Sequence, residues 1–175
     1  FESDRIHVHG LIVSEYSSEY SHWNARRSLG EWLTQNGIPA LSGIDTRALT
    51  KRLRDEGTML GRILFFAEEQ TFYDPNKTNL VAEVSRREPV EYGEGDKKVI
   101  LVDCGAKNNI LRGLLHLNLR VRCVPWNYDF SGEEYDGVML SNGPGDPKMC
   151  VETIQIIRKV MERSRPIFGI CMGNQ

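Results

Sequence analysis

Between Lys98 and Ile170 the chain alternates short apolar runs with stretches of helical periodicity, and few folds accommodate that pattern. Lys98-Val99-Ile100-Leu101-Val102-Asp103 is apolar without alternation, the mark of a strand covered on both faces. Ile110, Leu111, Leu114 and Leu115 then recur at the spacing of one helix face. Leu119 to Val124 predicts a second strand, Gly137-Val138-Met139-Leu140 a third, and Ile154, Ile157 and Val160 another helix. Pro166 to Ile170 predicts a fourth strand, which runs straight into Cys171. Strands separated by helices join through right-handed crossovers, so the expectation is a parallel sheet with helices on both faces. The class is α/β.

The first part of the chain has a different texture. Ile6 to Val13 predicts a strand, and Ser28-Leu29-Gly30-Glu31 matches a capping box, with Trp32 and Leu33 facing inward and Gly37 as the stop. Asp45 is placed to cap a second helix on which Leu49 and Leu53 lie one turn apart, with Gly57 ending it. Met59 to Phe66 is apolar enough for a strand. From Glu68 to Asp96 the chain is polar, with turn signals at Asp74-Pro75-Asn76 and at Tyr92 to Asp96. The boundary is expected in the latter, giving residues 1–96 as one partial domain with its linker and 97–175 as the next.

Composition excludes several classes. A net charge of −2 provides no basic footprint for nucleic acid. The one basic run, Lys51-Arg52-Leu53-Arg54, is followed at once by Asp55-Glu56 and reads as a solvated helix face. No apolar stretch approaches the ~20 residues of a membrane helix, and the start at Phe1 has no signal-peptide architecture. Without an initiator Met, the chain is expected to begin inside a longer polypeptide. Cys104, Cys123, Cys150 and Cys171 lack CxxC spacing, which argues against zinc, and a chain of this size needs no disulfide framework. Reduced thiols of a cytoplasmic type are the expectation.

Two motifs carry chemistry. Gly169-Ile170-Cys171-Met172-Gly173 has the form of a nucleophile elbow with Cys in place of Ser. Its glycines relieve the crowding where a strand turns sharply into a helix, leaving the Cys171 side chain exposed on a strained backbone. A following helix would turn its N–H groups and positive end toward the sulfur, and the Met172 N–H would be placed to hold an oxyanion. The second motif, Ser141-Asn142-Gly143-Pro144-Gly145-Asp146-Pro147, directly follows the third strand. It is a rigid turn with bare N–H groups suited to an anionic partner. Each motif alone has an ordinary explanation, a core cysteine in one case and a plain turn in the other. Consecutive parallel strands place both on the same edge of one sheet.

Together, Asn142 to Pro147 and Gly169 to Gln175 resemble the paired signatures of class I (triad) glutamine amidotransferases. Ser42-Gly43-Ile44-Asp45-Thr46-Arg47-Ala48-Leu49-Thr50, with the stretch from Ser21-His22-Trp23 to Pro39, resembles the N-terminal domain of carbamoyl-phosphate synthetase small chains. So does Val99 to Cys104 running into Gly105-Ala106-Lys107-Asn108-Asn109. The resemblance implies that Cys171 attacks the carboxamide of L-glutamine, forms a γ-glutamyl thioester and releases ammonia. It implies an oxyanion hole from the N–H groups of Gly143 and Met172, with Gln175 and the backbone around Gly145 holding the substrate. The ammonia would pass to a large synthetase chain that uses bicarbonate and ATP, with Mg, to make carbamoyl phosphate for pyrimidines and arginine. This chain itself would need no metal or organic cofactor.

The resemblance has departures. The family motif commonly carries His where this chain has Asn174 and Leu where it has Met172. The family's base, a His with a Glu partner, lies well downstream of the cysteine, so the 175 residues alone are expected to be inactive as a glutaminase. None of the four histidines fits that role: His7 and His9 share one face of a predicted strand, His22 sits beside Trp23 in a polar run, and His116 closes a helix. The alternatives are another class I amidotransferase, which would not carry Ile44-Asp45-Thr46-Arg47, and a non-catalytic subunit that docks on a synthetase.

Overall fold

The computed structural model describes residues 2–3, 5–64 and 71–175. The chain divides into two compact units, residues 4–73 and residues 74–175 with the first three.

In the first unit a two-residue strand β1 (Leu11–Ile12) runs parallel to β2 (Ala40–Leu41). The strand predicted over Ile6 to Val13 contracts to β1, with Leu11 N–H donating to the Pro39 carbonyl and Val13 N–H to that of Leu41. Helix α1 (Leu29–Gln35) opens with the expected capping box, Ser28 and Glu31 each accepting the other's backbone N–H. Leu33 is buried and Trp32 half-buried. Helix α2 (Thr46–Glu56) is capped by Asp45, which accepts from the Ala48 N–H at 2.9 Å, and ends at Gly57. Leu49 and Leu53 lie on its surface, 37% and 39% exposed, so their spacing does not mark a core face within this unit. Residues 59–64 form no strand, and the remainder of that predicted strand, 65–66, lies outside the described residues. His7 and His9 likewise fall outside any strand; His9 packs edge-on against Tyr73.

The second unit opens with a 3-10 turn (Pro75–Lys77), a short helix α3 (Leu80–Val84) and a strand β3 (Val90–Tyr92), all inside the polar stretch expected to be linker. The expected alternation follows: β4 (Lys98–Asp103), α4 (Asn108–His116), β5 (Arg120–Pro125), β6 (Gly137–Leu140), α5 (Val151–Met161) and β7 (Ile167–Gly169). The sheet order is β3-β5-β4-β6-β7, parallel throughout except for β3, which runs antiparallel to β5. After β4 the chain moves to one side for β5 and returns to the other for β6. The strand order therefore reverses at β4, and the crevice outside the carboxyl ends of β4 and β6 is the switch point where such sheets bind ligands.

Side chains alternate across β4 to serve two cores. Ile100 and Val102 pack with Val124, Val138, Leu140, Ile156 and Val160 on the face covered by α5. Val99 and Leu101 pack with Leu114, Val121 and Cys123 on the face covered by α4. Burial of each such side chain stabilises the unit by about 1.5–3 kcal/mol, which is why an uninterrupted apolar run here makes a central strand.

Two buried thiols give this core a pH signature. Burial is the main cause that pushes Cys104 and Cys123 from the usual 9.0 up to about 12. Above pH 9 the unfolded chain loses these protons while the folded chain keeps them. Stability is therefore fully present below pH 9 and declines as pH rises toward 12. Urea midpoints are expected to fall steadily between pH 9 and pH 11, and a Cys123→Ala variant to show a shallower fall.

Candidate active site

The carboxyl edge of the sheet brings three successive loops together. The first begins at Asp103, only 8% exposed, whose Oδ1 accepts from the N–H groups of Gly105 and Ala106 at 2.9 and 2.8 Å. Its Oδ2 accepts from the backbone N–H and Nε of Arg86. The loop after β6 is fastened to this one by Ser141 and Asn142, the first two residues of the Gly/Pro motif, a role their sequence alone does not predict. Ser141, fully buried, accepts from the Cys104 N–H at 2.9 Å and donates to the Asn142 carbonyl. Asn142 donates to the Gly105 carbonyl at 3.0 Å and accepts from the Lys107 N–H at 3.2 Å. Ser and Asn are common in turns, so only the fold distinguishes these two as clamps.

The third loop carries the elbow. Ile170 N–H extends the parallel ladder to the Leu140 carbonyl at 3.0 Å, and the chain then turns abruptly. Cys171 has φ +54°, a left-handed conformation that costs a non-glycine residue about 1–3 kcal/mol and persists only where the surroundings enforce it. They do so here because Gly169 and Gly173 pack backbone to backbone. A Cβ at Gly169 would run into the Gly173 carbonyl, and one at Gly173 into the Leu140 carbonyl. The helix expected after Cys171 is, in the described residues, a single 3-10 turn over Cys171–Gly173. Gly173 N–H bonds to the Ile170 carbonyl, leaving those of Cys171 and Met172 as the turn's opening donors.

The predicted site residues distribute as follows. Cys171 is exposed, whereas Cys104, Cys123 and Cys150 are buried. Met172 is buried, and its sulfur lies 2.8 Å from where a Cβ on Gly143 would stand, so the two proposed oxyanion residues are neighbours. Gly145 has φ +83° and rests on Leu80. Gln175 is exposed; its backbone N–H closes the turn onto the carbonyls of Cys171 and Met172. Asn174, where the family pattern has His, closes the same turn through its N–H to the Cys171 carbonyl. His116 ends α4, which starts at the carboxyl edge and runs back, so it lies at the opposite edge from Cys171. A cleft of about 360 Å³ lined by Lys98, Arg120, Asp136 and Arg165 is also at that amino edge, away from the elbow.

Native alkylation reads this arrangement directly. Iodoacetamide at pH 8 is expected to modify Cys171 alone in the folded protein and all four cysteines in urea, as peptide mass mapping would show. Burial raises the other three thiols above their ordinary range and denies them access to reagent.

Among the described residues no group of three His, Cys, Asp or Glu is placed to hold a metal, and no helix is long and apolar enough to cross a membrane.

Comparison with known proteins matches residues 100–175 to the glutamine amidotransferase class-I family and residues 1–63 to the carbamoyl-phosphate synthase small chain, CPSase domain. The chain is 50% identical over 99% of its length to a mitochondrial carbamoyl-phosphate synthase [ammonia] of Homo sapiens. It is 47% identical over its whole length to the multifunctional protein pyr1-3 of Dictyostelium discoideum, and 46% identical to the multifunctional protein CAD of Squalus acanthias. It spans 12% of the human protein, 9% of the second and 8% of the third.

Proposed function

The chain belongs to the carbamoyl-phosphate synthase small-chain family, its second unit matching the class-I glutamine amidotransferases, and from that premise we propose that the protein hydrolyses glutamine through Cys171 and supplies the ammonia to a carbamoyl-phosphate synthetase. The observation that carries this reading is an exposed cysteine at φ +54° on the carboxyl edge of the sheet, with Gly143 and Met172 packed together beside it.

The Cys171 sulfur, as thiolate, attacks the carboxamide carbon of glutamine. The carbonyl oxygen becomes an oxyanion, held by the N–H groups of Gly143 and Met172. Collapse expels the amide nitrogen, which leaves as ammonia once it has taken up a proton, and the acyl group stays on sulfur as a γ-glutamyl thioester. Water cleaves that thioester to glutamate and restores the thiol, so the sum is glutamine plus water giving glutamate plus ammonia. The proton carrier is the His with a Glu partner that the family pattern places later in the sequence. The proposal extends to a large synthetase chain as partner, ATP and Mg on that chain, carbamoyl phosphate for pyrimidine and arginine synthesis, and a cytoplasmic location.

A second reading has its own support. The relatives from Homo sapiens, Mus musculus and Aquarana catesbeiana are named for ammonia. In that reading the two units are a docking body on a synthetase fed with free ammonia. The full-length protein separates the two when supplied with bicarbonate and ATP together with either glutamine or ammonium. Carbamoyl phosphate formed from glutamine supports the glutaminase reading, and formation from ammonium alone supports the docking reading.

A further inference from the structure

Residues 79–86 lie between the two segments that match known families, and none of the recognisable motifs falls there. Yet this stretch is bonded or packed to the loops after β4, β5 and β6 at the active edge of the sheet. Arg86 gives two hydrogen bonds to Asp103 at the end of β4. Ser85 Oγ accepts from the Trp126 N–H just past β5, at 3.1 Å. Val84 lies against Gly105, its Cγ2 3.0 Å from where a Cβ would stand, with Pro144 at 3.1 Å on the same position. Leu80 fills the space under Gly145, its Cβ 3.6 Å from the equivalent point, and Val81 is buried in the core cluster that contains Met172.

Asn79 begins the stretch and does two things with one amide. Its Oδ1 caps α3 by accepting from the Ala82 N–H at 3.2 Å. Its Nδ2 donates at 3.0 Å to the carbonyl of Met149, which ends the 3-10 turn Pro147–Met149 and so fixes the far end of the Gly143–Pro147 loop. The near end of that loop is already clamped through Ser141 and Asn142. A loop held at one end only can pivot, and displacing an oxyanion donor by ~1 Å costs up to about a hundredfold in rate.

We propose that residues 79–86 act as a brace for the Gly143–Pro147 loop, with Asn79 a positioning residue that fixes the Gly143 N–H for glutamine hydrolysis through its bond to the Met149 carbonyl. This rests on the glutaminase reading above. The bond orients a catalytic donor without touching substrate, so its loss acts on the chemical step more than on binding of glutamine.

The test uses the full-length protein and the variants Asn79→Ser, Leu80→Ala and Cys171→Ser. A serine hydroxyl still caps α3 but is too short to reach Met149, so Asn79→Ser separates capping from bracing. Asn79→Ser is expected to lower kcat with glutamine about tenfold with KM changed less than about twofold, since only orientation is lost. Its thermal midpoint is expected to match the parent, and carbamoyl phosphate formation from ammonium to serve as the unchanged reference. Leu80→Ala is expected to move kcat in the same direction. Parental kcat in Asn79→Ser, or equal losses with glutamine and ammonium, would overturn the brace while a silent Cys171→Ser upholds the glutaminase reading. Full glutamine-fed turnover in Cys171→Ser would overturn both.

Discussion

Replacing Cys171 with serine is expected to abolish glutamine-fed turnover of the full-length protein, by a factor on the order of 10³ or more, while turnover on added ammonium continues. The substitution removes one atom type and leaves the elbow intact. A serine occupies the same left-handed position, and the contacts that enforce the turn are made by Gly169, Gly173 and Leu140 rather than by the sulfur. What changes is nucleophilicity. A thiol reaches its anion within reach of neutral pH, whereas an alcohol needs a base aligned on its own oxygen, and a site built for sulfur supplies none at that distance. Steady-state assays with each nitrogen source check it, and an unchanged unfolding midpoint would show that chemistry rather than folding was lost.

The second large effect is expected at Gly143. An alanine Cβ there would collide with the Cys104 carbonyl oxygen and stand 2.8 Å from Met172 Sδ and 3.0 Å from Cys104 Cβ. None of these can withdraw. Cys104 is buried with its N–H held by Ser141, and Met172 is packed in the core. The loop must move outward instead, carrying the Gly143 N–H away from the oxyanion position proposed for it. Gly143→Ala should therefore lower kcat with glutamine by roughly 10²–10³, the scale for loss of one oxyanion donor. Gly113 provides the control. It lies on α4 with open space where its Cβ would stand, so Gly113→Ala should leave kcat unchanged and stabilise the fold by about 0.5–1 kcal/mol. Parallel kinetics and urea titrations of the two variants separate a loop effect from a general intolerance of alanine.

The parts of this architecture legible in the sequence are those governed by local pattern. The apolar run of β4 and the four residues of β6 emerge with the predicted bounds, because a strand covered on both faces admits no other composition. Ser28 and Glu31 declare the start of α1 because the capping box closes within four residues. Where pairing depends on a distant partner, pattern fails. Val90-Glu91-Tyr92 sits in a polar stretch and becomes a strand only because β5 has a free edge to receive it. Ile6 to Val13 mixes strand-forming residues with His7, His9 and Gly10, and among the described residues it forms a ladder only at Leu11 and Ile12. The site divides in the same way. Gly143 and Cys171 share an edge by the rule that consecutive parallel strands point the same way, and that much follows from order alone. The clamps at Asp103, Ser141 and Asn142 and the brace at Asn79 are polar residues whose partners lie 17 to 70 positions away in sequence. Asp103, Ser141 and Asn142 fall inside recognisable motifs, but only the fold supplies their partners, and nothing in the neighbours of Asn79 marks it.

The central claim is that Cys171 forms a covalent bond to the substrate, and trapping that bond tests it most directly. The full-length protein would be acid-quenched during turnover with glutamine, digested, and its cysteine peptides weighed. A γ-glutamyl adduct on the Cys171 peptide, absent from those of Cys104, Cys123 and Cys150 and lost in Cys171→Ser, is the predicted result. Glutamine consumed at the parental rate with an unmodified Cys171 peptide, or an adduct on another residue, would contradict the account.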